Sequence, residues 1–148
     1  MTVVRRGARP EDRAEWLRMR RLLWEDCPDG EQEREIDEIL QATEDVVFFA
    51  ERPGGGLCGF LEAAIRSRAN GCEAMPVGYI EGWYVDEDVR RQGVGRTLVE
   101  AAEAWARSKG CRQMASDADI GNEVSHRAHG ALGYEESARV VLFKKDLG

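Results

Sequence analysis

The chain has 148 residues, of which 43% are hydrophobic and 33% are charged, with a formal net charge of −7. This size and mixture suit one compact domain with its own core, so residues 1–148 are treated as a single domain. The acidic balance disfavours nucleic acid as a partner, because phosphate backbones select basic surfaces, and it suits a cationic partner better. No apolar run approaches the length of a membrane span and no secretory leader opens the chain, which predicts a cytoplasmic protein with no membrane partner.

The first half of the chain is predicted to alternate strands and helices. A proline followed by two acids, beginning at Pro10, is typical of a helix start, and Pro28-Asp29-Gly30 breaks that helix. The run Val-Val-Phe-Phe predicts a strand that is buried on both faces. The predicted elements are a strand at 2–6, helices at 10–24 and 33–42, and a hairpin of strands at 46–51 and 57–65.

The second half begins with a long loop and continues with a strand–helix alternation. Gly110 is predicted to end the longest helix, and Gly133 to stop the next one. The predicted elements are strands at 77–85, 111–116 and 139–145, and helices at 93–109 and 122–132. This order indicates a mixed α/β fold, an α+β mixture in one layered domain.

Residues 85–96 join a predicted strand to the best predicted helix through a loop with two glycines and three arginines. The free N–H groups and the dipole of a helix's first turn form an anion site. Gly93 and Gly95 carry no side chain that would hold a phosphate away from these groups. The expected ligand is therefore an anion.

Three kinds of phosphate-binding loop are candidates for this segment. The chain has no G-x-x-x-x-G-K-[ST] run, and a dinucleotide loop would need a third glycine where Leu98 stands. The remaining pattern, R-x-x-G-x-G at 90–95, resembles motif A of the GCN5-related N-acetyltransferases (GNAT), which cradles the pyrophosphate of acetyl-CoA. A plain glycine-rich turn before a helix is the alternative.

A second motif, Asn122-x-x-Ser125-x-x-x-His129-x-x-x-Gly133-Tyr134, is similar to the downstream helix of the same family. The resemblance implies the GNAT fold, a central mixed, mostly antiparallel sheet flanked by helices, with acetyl-CoA as co-substrate. It also implies a set of CoA-binding residues: Val85, Arg90, Arg91, Gln92, Gly93, Val94, Gly95, Arg96 and Asn122. His129 stands where the family often has a Tyr that protonates the departing thiolate, so it is a candidate catalytic acid; packing or contact with CoA is the alternative.

Further segments resemble one branch of the family, the aminoglycoside 6'-N-acetyltransferases of bacterial resistance, and the run at 109–117 is the most specific of them. Aminoglycosides are cationic sugars, so their site needs carboxylates and an aromatic wall. By this resemblance Trp24, Glu81, Asp117 and Glu136 line the pocket, although each carboxylate has the alternative of being a solvated surface charge. One departure is the loop at 66–70, which has no aromatic residue where relatives tend to carry Tyr and which brings Arg66 and Arg68 near a site for cations.

The predicted reaction is direct attack of the neutral amine on the acetyl carbonyl. Glu81 or Asp117 is the candidate base, a backbone N–H near Val85 would polarise the carbonyl, and His129, Tyr134 or solvent would protonate the thiolate. The rival mechanism uses Cys72 or Cys111 as a nucleophile.

Other readings of the whole chain stay open. They are an acetyltransferase for another polyamine or a protein amine, and a non-catalytic acyl-CoA sensor. The four cysteines lack C-x-x-C spacing, so no metal site is predicted and the thiols are expected to be reduced. A homodimer is expected, with the predicted strand at 139–145 available to pair or swap at a sheet edge.

Overall fold

A computed structural model describes residues 2–148. The strands are β1 (Val3–Arg6), β2 (Asp45–Glu51), β3 (Leu57–Arg66), β4 (Val77–Val85) and β5 (Met114–Ser116). The helices are α1 (Arg13–Leu23), α2 (Asp29–Gln41), α3 (Val94–Ser108) and α4 (Glu123–Ala131), with short 3-10 turns at Pro10–Asp12 and Glu87–Val89.

The strands form one five-stranded sheet in the order β1-β2-β3-β4-β5. Consecutive strands from β1 to β4 pair antiparallel, and β5 pairs parallel to β4. A parallel pair needs a crossover, and α3 supplies it between β4 and β5. The predicted fold class, a mixed and mostly antiparallel sheet flanked by helices, is confirmed.

The core forms where α1 and α2 cover the sheet. Trp16 and Met19 of α1 and Ile36 of α2 are fully buried against Phe49 of β2 and Phe60 of β3. The Trp16 and Phe49 rings meet edge to face, with centroids 5.4 Å apart. As predicted for β2, its central residues are buried throughout the Val-Val-Phe-Phe run.

A buried ion pair lies in this same layer. Arg20 of α1 is 1% exposed and Glu62 of β3 is 4% exposed, and Arg20 Nη1 lies 2.6 Å from Glu62 Oε1. Trp16 Nε1 donates to Glu62 Oε2 at 2.8 Å, and Arg20 Nε donates to Gln32 Oε1 at 2.9 Å. Burial raises the pKa of Glu62, and the charge and hydrogen bonds of Arg20 oppose that rise. The network joins α1, α2 and β3 through one guanidinium group.

Two helix boundaries differ from the predicted ones. The first helix is preceded by the 3-10 turn at Pro10–Asp12 rather than being continuous from Pro10. The second begins at Asp29 and not at residue 33, because Pro28, which follows the end of α1 at Leu23, is the N-cap of α2. The Pro28 carbonyl accepts hydrogen bonds from the N–H groups of Glu31 and Gln32, both at 3.0 Å.

The predicted strand at 139–145 is wrong for the single chain, since residues 132–148 contain neither helix nor strand. The apolar side chains of this segment are exposed, from 62% at Val140 to 92% at Phe143. An apolar segment forms a strand only where a neighbour completes its backbone hydrogen bonds. The predicted strand at 111–116 is shorter in the structure, where β5 begins at Met114. The N–H of Cys111 donates instead to the carbonyl of Ala106, near the end of α3.

The chain divides into two compact units, one that ends at Asp117 and one that spans Ala118–Gly148. The first unit contains the sheet and α1 to α3, and the second contains α4. The single domain over 1–148 stays a prediction. Within the described residues, no helix combines the length and the apolar character that crossing a membrane requires.

Replacing Arg20 by Met should lower the free energy of unfolding by about 3–5 kcal/mol, because Glu62 would stay buried without its partner charge. Urea unfolding measures the change. The matched control is Arg21→Met, since Arg21 is exposed and pairs with the exposed Asp29 at 2.9 Å; its cost should stay below about 1 kcal/mol. Equal and small losses in the two variants would contradict the role given to the buried pair.

Candidate functional site

The connection between β4 and α3 is a tight turn built on two left-handed residues. Arg91 has φ +64° and Gly93 has φ +83°, and Gly93 is the N-cap of α3. Glycine adopts this region without cost, whereas a side chain at residue 93 would strain it. The turn directs the first turn of α3 toward the exposed surface at Arg91, Gln92 and Gly93.

The N-terminus of α3 offers backbone donors. The first bond of the helix is donated by Thr97 N–H to the Gly93 carbonyl at 3.0 Å, and the Thr97 hydroxyl donates to the same oxygen at 2.9 Å. The N–H groups of Val94 and Gly95 precede that bond and have no acceptor within the helix. No acidic residue stands in this first turn. The geometry and the helix dipole therefore favour an anion here.

The two glycines of the loop have different structural reasons. A Cβ on Gly93 would meet no atom within 4 Å, so its left-handed conformation alone requires glycine. A Cβ on Gly95 would lie 3.1 Å from Cζ2 of Trp83, so this glycine allows α3 to pack closely on β4. Both glycines were predicted to clear space for a phosphate, and the packing of Gly95 on Trp83 is a further constraint that was not predicted.

Asp86 anchors the start of the loop. Its carboxylate accepts two hydrogen bonds from Arg18, both 3.0 Å long, and one from Arg52 at 3.1 Å, while its N–H donates to the Cys58 carbonyl at 2.7 Å. Burial alone would raise the pKa of Asp86, but the hydrogen bonds and charge of Arg18, and then the hydrogen bond of Arg52, hold it below the ordinary 3.8. This anchor was not predicted, because Arg18 and Arg52 lie far from Asp86 in the chain.

At the end of β4, Arg90 folds back onto the strand. Its Nε donates to the Val85 carbonyl at 2.8 Å, and its guanidinium carbon lies 5.7 Å from the centroid of the Tyr84 ring. An open cavity of about 700 Å³ adjoins this residue. Neither Glu81 nor Asp117 lines it; its lining residues are Arg18, Leu22, Glu25, Tyr84, Asp86, Glu87, Asp88 and Arg90.

The sheet register brings the two predicted catalytic carboxylates to one face. Directly paired residues of adjacent strands share a face, and one such row crosses the sheet: Asp45, Ala64, Tyr79 and Ala115. Glu81 follows Tyr79 by two positions and Asp117 follows Ala115 by two positions, so both side chains lie on the face of this row. Arg66 follows Ala64 in the same way.

A bulge in β4 completes the arrangement. Glu62 pairs with Gly82 and Ala63 pairs with Ile80, so Glu81 is the extra residue of the longer strand. A bulge shifts the alternation of side chains by one position. Glu81 and Gly82 therefore face the same side of the sheet.

The Glu81 and Asp117 carboxylates both accept hydrogen bonds from neighbouring side chains. Arg66 Nη2 lies 2.6 Å from Glu81 Oε1, and Arg66 Nε lies 3.0 Å from Glu81 Oε2. The Tyr79 hydroxyl donates to Asp117 Oδ2. Burial, followed by this hydrogen bond and the charge of Asp117, raises the pKa of the Tyr79 hydroxyl. Tyr79 and Arg66 were not predicted as a link between the carboxylates, because the link depends on strand register.

Trp24 lies against the backbone of β4 next to Glu81. A Cβ on Gly82 would collide with Cη2 of the Trp24 ring, so glycine is needed at this position. The Arg20 guanidinium carbon lies 4.5 Å from the centroid of the same ring. The structure thus places the predicted aromatic wall at the bulge, on top of the buried ion pair.

The surroundings of Glu81 are acidic. Asp45, which belongs to the cross-strand row, has its pKa raised first by burial, then by the negative charge of Glu81 and that of Glu44. Burial is the first cause of this shift, and the like charges of Glu81 and Glu44 add to it because they disfavour the ionised form. Neighbouring carboxylates of this kind attract cations.

The second unit holds the remaining predicted site residues. Asn122 caps α4, because its Oδ1 accepts from the Ser125 N–H at 3.1 Å. His129 Nδ1 lies 2.7 Å from the Ser125 carbonyl, which can only accept, so Nδ1 carries a hydrogen. Glu136 pairs with Arg139, and this hydrogen bond lowers the pKa of Glu136. The roles predicted for these residues stay predictions.

One group of described side chains has the spacing of a metal site. Possible ligand atoms of Cys27, Glu31 and Glu35 lie within 4.8 Å of one another. The Arg20 guanidinium already bonds Glu35, and this positive charge opposes a cation at the same carboxylate. The group therefore carries no assignment.

The β4–α3 loop thus offers a site for an anion, and Glu81 and Asp117 lie on one face of the sheet whose strand β4 leads into this loop. Residues 16–134 match the model of the Acetyltransferase (GNAT) family. The chain belongs to this family.

Relatives resemble the chain over nearly its whole length. Aminoglycoside N(6')-acetyltransferase type 1 of Stenotrophomonas maltophilia is 42% identical, with 96% of this chain and 92% of that protein covered. The protein of the same name from Klebsiella aerogenes is 45% identical, with 92% and 91% covered. Among solved structures, AAC(6')-Iy with the bisubstrate analogue CoA-S-monomethyl-acetylneamine has a TM-score of 0.91 at 36% identity, with 99% of each chain covered. AAC(6')-Ih from Acinetobacter baumannii has a TM-score of 0.91 at 34% identity, with 100% of each chain covered.

Replacing Asp86 by Asn should lower the free energy of unfolding at pH 7 by about 1–3 kcal/mol, because charge-assisted hydrogen bonds from two arginines are lost. A carboxylate whose pKa is depressed on folding stabilises the protein above its ordinary pKa of 3.8 and loses that contribution as the pH falls through the folded value. The variant should therefore show a flatter fall in stability below about pH 5.

Urea unfolding at a series of pH values measures this profile. Asp37→Asn is the control, because Asp37 is exposed and its partner Arg13 lies outside the loop. A parallel profile for Asp86→Asn and the native protein would refute the anchor.

Proposed function

We propose that this protein is an aminoglycoside 6'-N-acetyltransferase, which transfers the acetyl group of acetyl-CoA to the 6'-amine of a cationic aminoglycoside. The observation that carries the proposal is the pair of carboxylates on one face of the sheet: Glu81 in β4, the strand that leads into the family's CoA loop, and Asp117 directly after β5. The likeness of nearly the whole chain to enzymes named for this reaction supports the same acceptor.

The donor side is the β4–α3 loop. The backbone N–H groups of Val94 and Gly95 bind the pyrophosphate of acetyl-CoA, and Arg90, Arg91 and Arg96 supply positive charge around it. The other proposed CoA contacts are Val85, Gln92, Gly93 and Asn122. A backbone N–H near Val85 polarises the acetyl carbonyl as the tetrahedral centre forms. Acetyl-CoA is consumed as a co-substrate, and no step uses a metal.

The acceptor side needs negative charge and an aromatic surface. Glu81 and Asp117 bind ammonium groups of the sugar, and Trp24 gives one ring an apolar wall. Glu136 contributes a further carboxylate. The negative charges of Glu81 and Glu44, which act on Asp45 in addition to its burial, favour the same cations.

The reaction is a direct displacement. Glu81 or Asp117 takes a proton from the substrate ammonium, and the neutral amine attacks the acetyl carbon. The C–S bond then breaks, the attacking nitrogen loses its second proton to solvent, and the thiolate takes a proton from His129, Tyr134 or solvent. With a hydrogen fixed on Nδ1 of His129, the proton it gives in the imidazolium form leaves from Nε2.

Cys111 is disfavoured as a nucleophile on physical grounds. Cys111 is 5% exposed, and burial, followed by the charge of Glu44, raises the pKa of its thiol. A raised pKa lowers the thiolate fraction at neutral pH.

We also propose that the protein is a cytoplasmic homodimer. The exposed apolar side chains of Val140, Val141, Leu142 and Phe143 form a consecutive run in the segment that was predicted as a strand. A second copy of the chain, with β1 and β5 at the edges of its sheet, offers the backbone partner that such a segment needs. The four cysteines are free, which agrees with a reducing compartment.

Purified protein with acetyl-CoA should release free CoA thiol when kanamycin is added. Glu81→Gln and Asp117→Asn should each lower kcat/KM for kanamycin by about tenfold or more, because a charge-assisted contact to the amine is lost. Glu100→Gln, an exposed change on α3, is the control and should keep full activity.

The rival functions give different results in the same assay. Thiol release with spermidine or a lysine peptide, and none with kanamycin or tobramycin, would favour an acetyltransferase for another amine. Acetyl-CoA binding without thiol release for any amine would favour an acyl-CoA sensor.

Light scattering during gel filtration should give a mass of about twice the 16.6 kDa chain. Phe143→Ser should shift the protein toward the monomer, because it removes apolar area from the proposed contact. Leu40→Ser is the control, since Leu40 is 53% exposed on α2. A native protein that elutes as a monomer at all concentrations would refute the dimer.

A further inference from the structure

We propose that Arg66 is a built-in competitor for the acceptor pocket: its guanidinium occupies the carboxylate of Glu81 that a substrate ammonium must reach, so it sets which amines the enzyme accepts. This inference rests on the proposed function, because it requires that Glu81 bind the acceptor. It assigns a specificity-determining role to a residue at the end of β3.

The contacts of Arg66 imitate those expected of a bound cation. Its Nη2 and Nε reach both oxygens of Glu81, at 2.6 Å and 3.0 Å, in the fork geometry of an arginine–carboxylate pair. Its guanidinium carbon lies 3.5 Å from the centroid of the Tyr79 ring, which is a cation–π contact. Charge, hydrogen bonds and an aromatic face are the elements that recognise an aminoglycoside ammonium group.

The charge of Arg66 also acts on Asp117, the second carboxylate of the site. Tyr79, over which the guanidinium stacks, donates its hydroxyl to Asp117. Burial alone would lower the pKa of Arg66, but the hydrogen bonds and charge of Glu81, with a smaller effect from Asp117, raise it. One tethered cation therefore offsets the charge of both proposed acceptor groups.

The pair is placed where a ligand can replace it. The side chain of Arg66 is 42% exposed and that of Glu81 is 34% exposed, so solvent reaches both. Exposed ion pairs contribute little stability, and an ammonium that offers the same charge can exchange with the guanidinium at small cost. A residue needed only for folding would be expected in a buried pair such as that of Arg20 and Glu62.

The exchange has a consequence for specificity. Substrate binding must include displacement of Arg66, which lowers the apparent affinity for every acceptor by the stability of the closed pair. An acceptor with several ammonium groups compensates by binding Glu81 and Asp117 together, whereas an acceptor with a single ammonium group does not. Arg66 thereby selects polycationic acceptors.

The test compares Arg66→Leu, which removes the cation, with Arg68→Leu in the neighbouring exposed loop. Arg66→Leu should lower KM for kanamycin by about fivefold, and leave kcat and KM for acetyl-CoA near the native values. Arg68→Leu should change none of these. Thermal unfolding of both variants checks that the fold is kept.

Added guanidinium ion, at millimolar and non-denaturing concentration, gives a second readout. It should inhibit Arg66→Leu competitively against kanamycin, and inhibit the native enzyme less, because the native site already holds a guanidinium. A merely structural role for Arg66 would not produce this difference.

The outcomes separate the inference from the function. If Arg66→Leu leaves KM unchanged or raises it, while Glu81→Gln raises KM, the acceptor site stands and the competitor is refuted. If neither variant changes KM although kanamycin is acetylated, Glu81 does not bind the acceptor and both the pocket and the competitor are refuted. If no aminoglycoside is acetylated, the proposed function itself fails.

Discussion

The buried contact between Arg20 and Glu62 is the interaction on which the rest of the site depends. A charge pair in the core is tolerated only when its remaining hydrogen-bonding capacity is used, and here Trp16 and Gln32 use it. Arg20 also lies under the Trp24 ring, which in turn packs on Gly82 beside the bulge. The guanidinium of Arg20, which joins two helices to the sheet, thus also holds the Trp24 ring next to Glu81.

The acidic face arises from sheet geometry rather than from closeness in sequence. Glu81 and Asp117 are far apart in the chain, and the row through Tyr79 and Ala115 brings them to one face. The bulge at Glu81 then turns that side chain to the same side as Gly82. Such a face would repel itself if left alone, and the placement of Arg66 over Tyr79 neutralises part of its charge.

The parts of the molecule that sequence predicted well are those specified by local pattern. The bounds of β4 and the position of α3 follow from an apolar run, a glycine turn and helical spacing, all within a few residues of each other. The parts that could not be predicted depend on distant partners. No local signal pairs Arg18 and Arg52 with Asp86, and no local signal places the N-cap of α2 at Pro28. The segment at 139–145 has an apolar run that favours a strand, but it contains no strand in the single chain.

The order of the strands has a consequence for how the chain is made. The strands β2, β3 and β4 pair with their neighbours in sequence across short loops, so these pairings can form as the ribosome releases them. The pairing of β1 with β2 closes a longer connection that contains α1 and α2, and the parallel pairing of β4 with β5 must wait until the whole of α3 has been synthesised. Asp117 therefore reaches Tyr79 late, and the acidic face is completed only after the rest of the sheet is in place.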